Sequence, residues 1–188
     1  NSRPISAVSL GQKKTIDNSE EKFKQLREQL MVQASVKSNA FATGKLRSQK
    51  KRSAKSSKNA KASSHHYFQI FQEQSYLLKD LDHDGYFQEF TVSFDADVEA
   101  HSAEIYAELY LSKNGGPWRH YYTTDVFTIF GDSQNDEYEV FTQLVDGYDP
   151  DEYDVLIDLY EYGYSDVVAS FSDADTDNLY ALPLESVY

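Results

Sequence analysis

The chain has 188 residues, a formal net charge of −13 and no cysteine, which excludes a disulfide framework, a thiol nucleophile and a Cys-ligated zinc. The net charge conceals a division. Residues 1–66 hold 15 Lys and Arg against 4 Asp and Glu, whereas residues 67–188 hold 3 against 27, so a basic arm precedes an acidic domain.

In chain order, residues 1–16 carry little apolar content and read as flexible. "DNSEEKFKQLREQLMVQA" predicts a helix near 18–34. Asn18 and Glu21 form a capping-box pair, and Phe23, Leu26, Leu30 and Ala34 recur at helical spacing. A helix this short is marginal alone, and its narrow apolar stripe suits docking on a partner or on the domain. "KLRSQKKRSAKSSKNAKASS" (45–64) is a Lys/Ser/Ala tract that reads as disordered. Its charge suits an acidic polymer as partner. The lack of interleaved aromatics argues against nucleic acid.

The acidic domain, 67–188, is long enough to bury a core. It contains all 15 Tyr and the single Trp118. Here the apolar period shortens to two. "QEFTVSF" (88–94) sets Phe90, Val92 and Phe94 against Glu89, Thr91 and Ser93. "AEIYAELYLS" (103–112), "DEYEVFTQLV" (136–145), "EYDVLIDLYEY" (152–162) and "DVVASFS" (166–172) continue in this manner. Strict alternation predicts half-buried antiparallel strands. The turn signals NGGP (114–117), GDSQND (131–136) and DGYDPD (146–151) separate them. The predicted fold class is all-β: an antiparallel β-sandwich of about seven strands, with a barrel as the second arrangement.

One stretch carries chemistry. "DLDHDGYFQEF" (80–90) places Asp80, Asp82 and Asp84 in alternation ahead of Gly85. Three such carboxylates can converge on one cation, and a hard ion such as calcium takes six to eight oxygens. Tyr86 would add its backbone carbonyl. The twelfth position of an EF-hand loop is a Glu; counted from Asp80 it is Thr91, and strand-like sequence follows in place of a helix. The loop is therefore not an EF-hand. The expectation is a calcium loop that opens a β-strand, closed by a carboxylate from elsewhere. Glu89, Asp95 and Asp97 are the nearest candidates. The competing reading is an acidic hairpin turn, since Asp and Gly are favoured turn residues.

Two other clusters carry less. "DADTD" (173–177) lacks the glycine that would close a loop. Trp118 follows NGGP and lies near Tyr121 and Tyr122, so the three are candidates for an aromatic platform for a sugar or partner. The alternative is core packing beneath a hairpin. No nucleophile elbow or ordered triad is present, so no catalytic residue is assigned.

Four ordered segments, "DLDHDGYFQEFTVSFDADV", "AEIYAELYLSKNGGPW", "YYTTDVFTIFGDSQNDEYEV" and "YDVLIDLY", resemble choice-of-anchor H family proteins. The resemblance covers about residues 67–188. It implies a protein that is secreted or held at the cell surface of a Gram-negative bacterium after removal of a signal peptide. The family name describes anchoring and brings no catalytic residues with it. The chain starts at Asn1 and has no apolar run long enough for a signal peptide or membrane span, so it reads as a processed or trimmed product. The expected function is a non-enzymatic, calcium-steadied module for binding or adhesion to a surface or extracellular partner. The alternative is a carbohydrate-active enzyme or glycan-binding domain using carboxylates near Trp118.

Overall fold

The computed structural model describes residues 5–13, 28, 46–47, 66–131 and 137–188. Among them are eleven strands: β1 (Ser6–Lys13), β2 (Leu46–Arg47), β3 (Phe68–Lys79), β4 (Glu89–Val98), β5 (Ser102–Lys113), β6 (Trp118–Thr123), β7 (Phe127–Phe130), β8 (Glu137–Asp146), β9 (Asp151–Glu161), β10 (Val167–Phe171) and β11 (Leu182–Leu184). One 3-10 turn, Asp177–Leu179, is capped by the Thr176 side chain. No described helix is long and apolar enough to cross a membrane.

The strands form two antiparallel sheets. The smaller has the order β1-β8-β4-β3. The larger has the order β10-β9-β5-β6-β2, with β11 added to β9 and β7 to β5. The alternating apolar residues meet between the sheets: Phe90, Val92 and Phe94 of β4 pack with Ile105, Ala107, Leu109 and Leu111 of β5 and with Val155, Ile157 and Leu159 of β9. This is the β-sandwich expected from the two-residue period.

Three features differ from the sequence expectations. The strand count rises from about seven to eleven, because β6, β7 and β11 are short and β3 is interrupted by two register shifts that break its alternation. Next, the arm is not uniformly flexible before residue 17. Ser6–Lys13 pairs along β8 as an edge strand, with Ala7 and Val8 fully buried. A strand whose pairing partner lies about 130 residues away leaves little local signal. Finally, the central strands are buried on both faces. Glu89, Thr91, Ser93 and Asp95 of β4 are no more than 2% exposed, as are Leu156 and Asp158 of β9, so these strands are not half-exposed. Of the predicted helix 18–34 only Glu28 is described, and it is helical and exposed. The rest of that helix, and the tract 48–64, lie outside the described residues.

Candidate metal centre

The acidic loop connects β3 to β4. Its backbone folds around its own carboxylates. The Gly85 amide donates to Asp80 Oδ2 at 2.8 Å, the Asp84 amide to Asp80 Oδ1 at 3.3 Å, and the Tyr86 amide to Asp84 Oδ1 at 3.0 Å. Gly85 has φ +92°, a left-handed value that glycine adopts without strain, and His83 also sits in this region at φ 57°. The glycine of the motif is thus required by the turn itself.

A fourth carboxylate reaches the loop from the C-terminal part of the chain. Phe87 forms a parallel bridge with Leu184. The Phe87 amide donates to the Pro183 carbonyl at 2.9 Å, and the Glu185 amide to the Phe87 carbonyl at 3.1 Å. This two-sided clamp fixes Glu185 beside the loop. One carboxylate oxygen from each of Asp80, Asp82, Asp84 and Glu185 lies within 4.8 Å of the others, and these four residues can hold a metal ion. Among the described residues there is no second such group.

Gln88 organises the junction. It is 2% exposed. Its Oε1 accepts from the Leu81 amide at 2.6 Å, and its Nε2 donates to Glu185 Oε2 at 2.5 Å and to the Tyr86 carbonyl at 3.2 Å. One side chain therefore ties the start of the loop, its end and the distant glutamate together. Replacing Gln88 by Leu keeps the volume and removes all three bonds, leaving the Leu81 amide without its acceptor. The expected cost is about 2–3 kcal/mol, read as a lower urea midpoint at unchanged slope. An unchanged midpoint would show that water replaces the amide without penalty.

The electrostatics follow from crowding. Loss of hydration, followed by the charges of Asp84 and Asp82, pushes the Glu185 carboxyl up to about 7. Asp82 is raised by desolvation and then by its neighbours Asp84 and Asp80. At Asp80, desolvation pulls upward, but hydrogen bonds from the Gly85 amide, the Asp82 side chain and the Asp84 and His83 amides outweigh it. Its carboxyl is held below the usual range. The arrangement favours an anion at Asp80 inside the loop and disfavours charge at Asp82 and Glu185, a cost that a nearby positive charge would relieve.

The remaining sequence candidates lie elsewhere. Glu89 takes no part in the cluster: it is buried in β4, and Gln143 Nε2 reaches its Oε2 at 3.4 Å. Asp95 is 2% exposed, farther along the same strand. Asp97 lies inside β4, and its Oδ1 accepts from the Val98 amide at 2.9 Å. Tyr86 offers its carbonyl, but to Gln88. Alternation sends Glu89, Asp95 and Asp97 along the strand, away from the loop that precedes it. Glu185 escaped sequence reasoning because it is one Glu among the domain's 27 acids, with no spacing that relates it to residue 80. In "DADTD", Asp175 accepts from the Ser172 amide at 2.9 Å within a tight turn.

The aromatic candidates do not form a surface platform. Trp118 and Tyr121 are both 0% exposed. Trp118 packs with Tyr110 and Leu156 on the outer side of the larger sheet. Tyr121 points inward, its ring 5.8 Å from that of Phe90. Tyr122 is half-buried, and its hydroxyl accepts from the Gly11 amide at 3.3 Å. Alternation alone puts Trp118 and Tyr121 on opposite faces of β6, and the register shift against β5 between Leu109 and Tyr110 lets Tyr122 pack against the core as well.

What the fold and the site define together is an all-β sandwich with a four-carboxylate cluster at one end. No protein-family model, curated protein or solved structure matches this chain.

Proposed function

We propose that this chain is a non-enzymatic β-sandwich module of a secreted or surface-exposed bacterial protein, stabilised by calcium and serving binding or adhesion. The observation that carries the calcium reading is the delivery of Glu185 to the Asp80-Asp82-Asp84 loop. One oxygen from each of the four carboxylates lies within 4.8 Å of the others, close enough for all four to reach one calcium ion at about 2.3–2.6 Å. Magnesium takes oxygens at about 2.1 Å and keeps most of its waters, so a cage of four protein carboxylates suits the larger ion. Asp82 and Glu185 also border a cleft of about 330 Å³, with Tyr148, Asp149 and Tyr188 around it. That opening leaves room for water ligands.

The secreted setting rests on the resemblance to choice-of-anchor H proteins. The adhesive role draws on tyrosines at the surface: Tyr67, Tyr76, Tyr162, Tyr180 and Tyr188 are all exposed. Each presents an apolar ring with a polar tip, a combination suited to contact surfaces. The burial of Trp118 and Tyr121 leaves the carbohydrate-active alternative without a platform. The test is thermal unfolding of the purified chain with excess calcium, with excess magnesium and with chelator. Calcium is expected to raise Tm over chelator, with magnesium giving a smaller rise. Equal Tm in all three conditions would remove calcium from the reading.

A further inference from the structure

Residues 67–188 hold 27 Asp and Glu, and their only Lys and Arg are Lys79, Lys113 and Arg119. Carboxylates are therefore plentiful around any cation of the domain. Lys113 takes one: its Nζ lies 2.9 Å from Asp149 Oδ2. Arg119 takes none. It is exposed, and among the described residues no hydrogen bond or ion pair engages its side chain. A lone guanidinium in so acidic a domain is out of keeping with its surroundings.

Strand register shows where it stands. Arg119 of β6 is opposite Leu111 of β5, and Lys113, two residues beyond Leu111, is opposite Tyr153 of β9. Cross-strand partners and next-but-one neighbours share a face. Leu111 and Tyr153 belong to the core, so the two cations start from the inner side of the larger sheet, next to each other at its rim. With Tyr148 of the β8–β9 turn and Ile5 ahead of β1, these four residues line a cavity of about 250 Å³. Apart from Tyr148, this cavity shares no lining residue with the cleft beside Asp82 and Glu185.

Tyr148 supplies an independent observation. It is 4% exposed, and its ring meets that of Tyr153 edge-on with centroids 6.1 Å apart. Its hydroxyl has no hydrogen-bond partner, a costly state for a buried donor. Loss of hydration raises the phenol's pKa, and the positive charge of Arg119 pulls against that rise, so the hydroxyl lies within the field of the guanidinium. An anion entering the cavity would answer both groups at once.

We propose that this cavity binds a small organic carboxylate. The planar fork of Arg119 suits the two carboxylate oxygens. Lys113 adds a second positive charge at the rim, and the Tyr148 hydroxyl gains an acceptor. The apolar body of the ligand rests against Ile5, Leu111 and the two tyrosine rings. The volume, at the low end for ligand cavities, suits an acid built on a single ring. This site is separate from the proposed calcium centre and does not depend on it.

The test is calorimetric titration of the full chain with benzoate, and with benzamide as its uncharged counterpart. Benzoate is expected to bind one to one with a Kd of about 1 mM or tighter. Benzamide is expected to bind at least about tenfold more weakly, and Arg119→Gln to weaken benzoate by a similar factor. Tyr148→Phe keeps the ring and should weaken benzoate about fivefold. Equal affinity for benzoate and benzamide overturns the proposal, as does the absence of saturable benzoate binding. Benzoate binding unchanged in Arg119→Gln also overturns it, because other cations of the chain would then hold the anion. If a variant fails to fold, the comparison of benzoate with benzamide on the unmodified chain decides.

Discussion

Glu185→Gln is expected to abolish the calcium response while leaving the sandwich folded. The substitution keeps the size of the side chain and an acceptor for Gln88, but removes the charge that closes the cluster. At calcium a thousandfold above its Kd, a single site held by the native state alone contributes about 4 kcal/mol, and that increment should vanish from the difference between calcium and chelator. The metal-free protein should behave in the opposite way. The folded-state carboxyl of Glu185 is raised from 4.5 to about 7, so the native state binds this proton more tightly than the unfolded chain does. Below pH 4.5 both states hold the proton and no penalty exists. As pH rises from 4.5 to 7 the unfolded state releases it first, and metal-free stability falls. Glu185→Gln removes that fall, so in chelator the variant should match the parent at low pH and exceed it above pH 7. Urea unfolding at pH 5 and pH 8, with calcium and with chelator, reads both effects. Parallel pH profiles for parent and variant in chelator would place the strain elsewhere in the loop.

The second large effect concerns a backbone and not a charge. Gly131→Ala is expected to cost about 3 kcal/mol, the upper end of the range for overpacking. A Cβ at this position would run into the carbonyl oxygen of Ala100 and come within 2.8 Å of that of Val98. Val98 ends β4 and Ala100 lies in the connection to β5, and the Gly131 amide itself donates to the His101 carbonyl at 3.1 Å. Carbonyls held in this way cannot swing aside as a flexible side chain would. The measurable outcome is a Tm lowered by about 6–12 °C, with calcium still raising it by the parent's increment because the loop is distant in sequence and structure. A Tm within one degree of the parent would show that the connection relaxes at no cost.

What was legible in the sequence follows from the range of each interaction. The core strands β4, β5, β8, β9 and β10 were legible because alternation is written locally, and the inward residues Phe90, Val92, Leu109 and Ile157 are those the pattern selects. The edge strand Ser6–Lys13 was not, since its hydrogen bonds are supplied by β8 across the chain. Nor was the burial of Glu89, Thr91, Ser93 and Asp95: the same alternation that identifies a strand marks these as its wet side. At the candidate metal centre the loop half was legible, because Asp80, Asp82, Asp84 and Gly85 form one turn. Its closure was not, because Glu185 is positioned by backbone bonds from Phe87 that no residue spacing encodes. The aromatic cluster misled for a related reason: nearness in sequence at Trp118, Tyr121 and Tyr122 does not put side chains on one face of a strand.

The clamp between Phe87 and Leu184 also sets an order of events. Gln88 and Glu185 are 97 positions apart, so during synthesis the aspartate loop leaves the ribosome long before its fourth ligand exists. Until then the three carboxylates form only part of a cage, and an ion taken up there is held by a fraction of its final contacts. On the proposed calcium reading, full affinity requires β11 to add to β9 and carry Glu185 into place. Tight ion retention would then report that the loop and the C-terminal part of the domain have met.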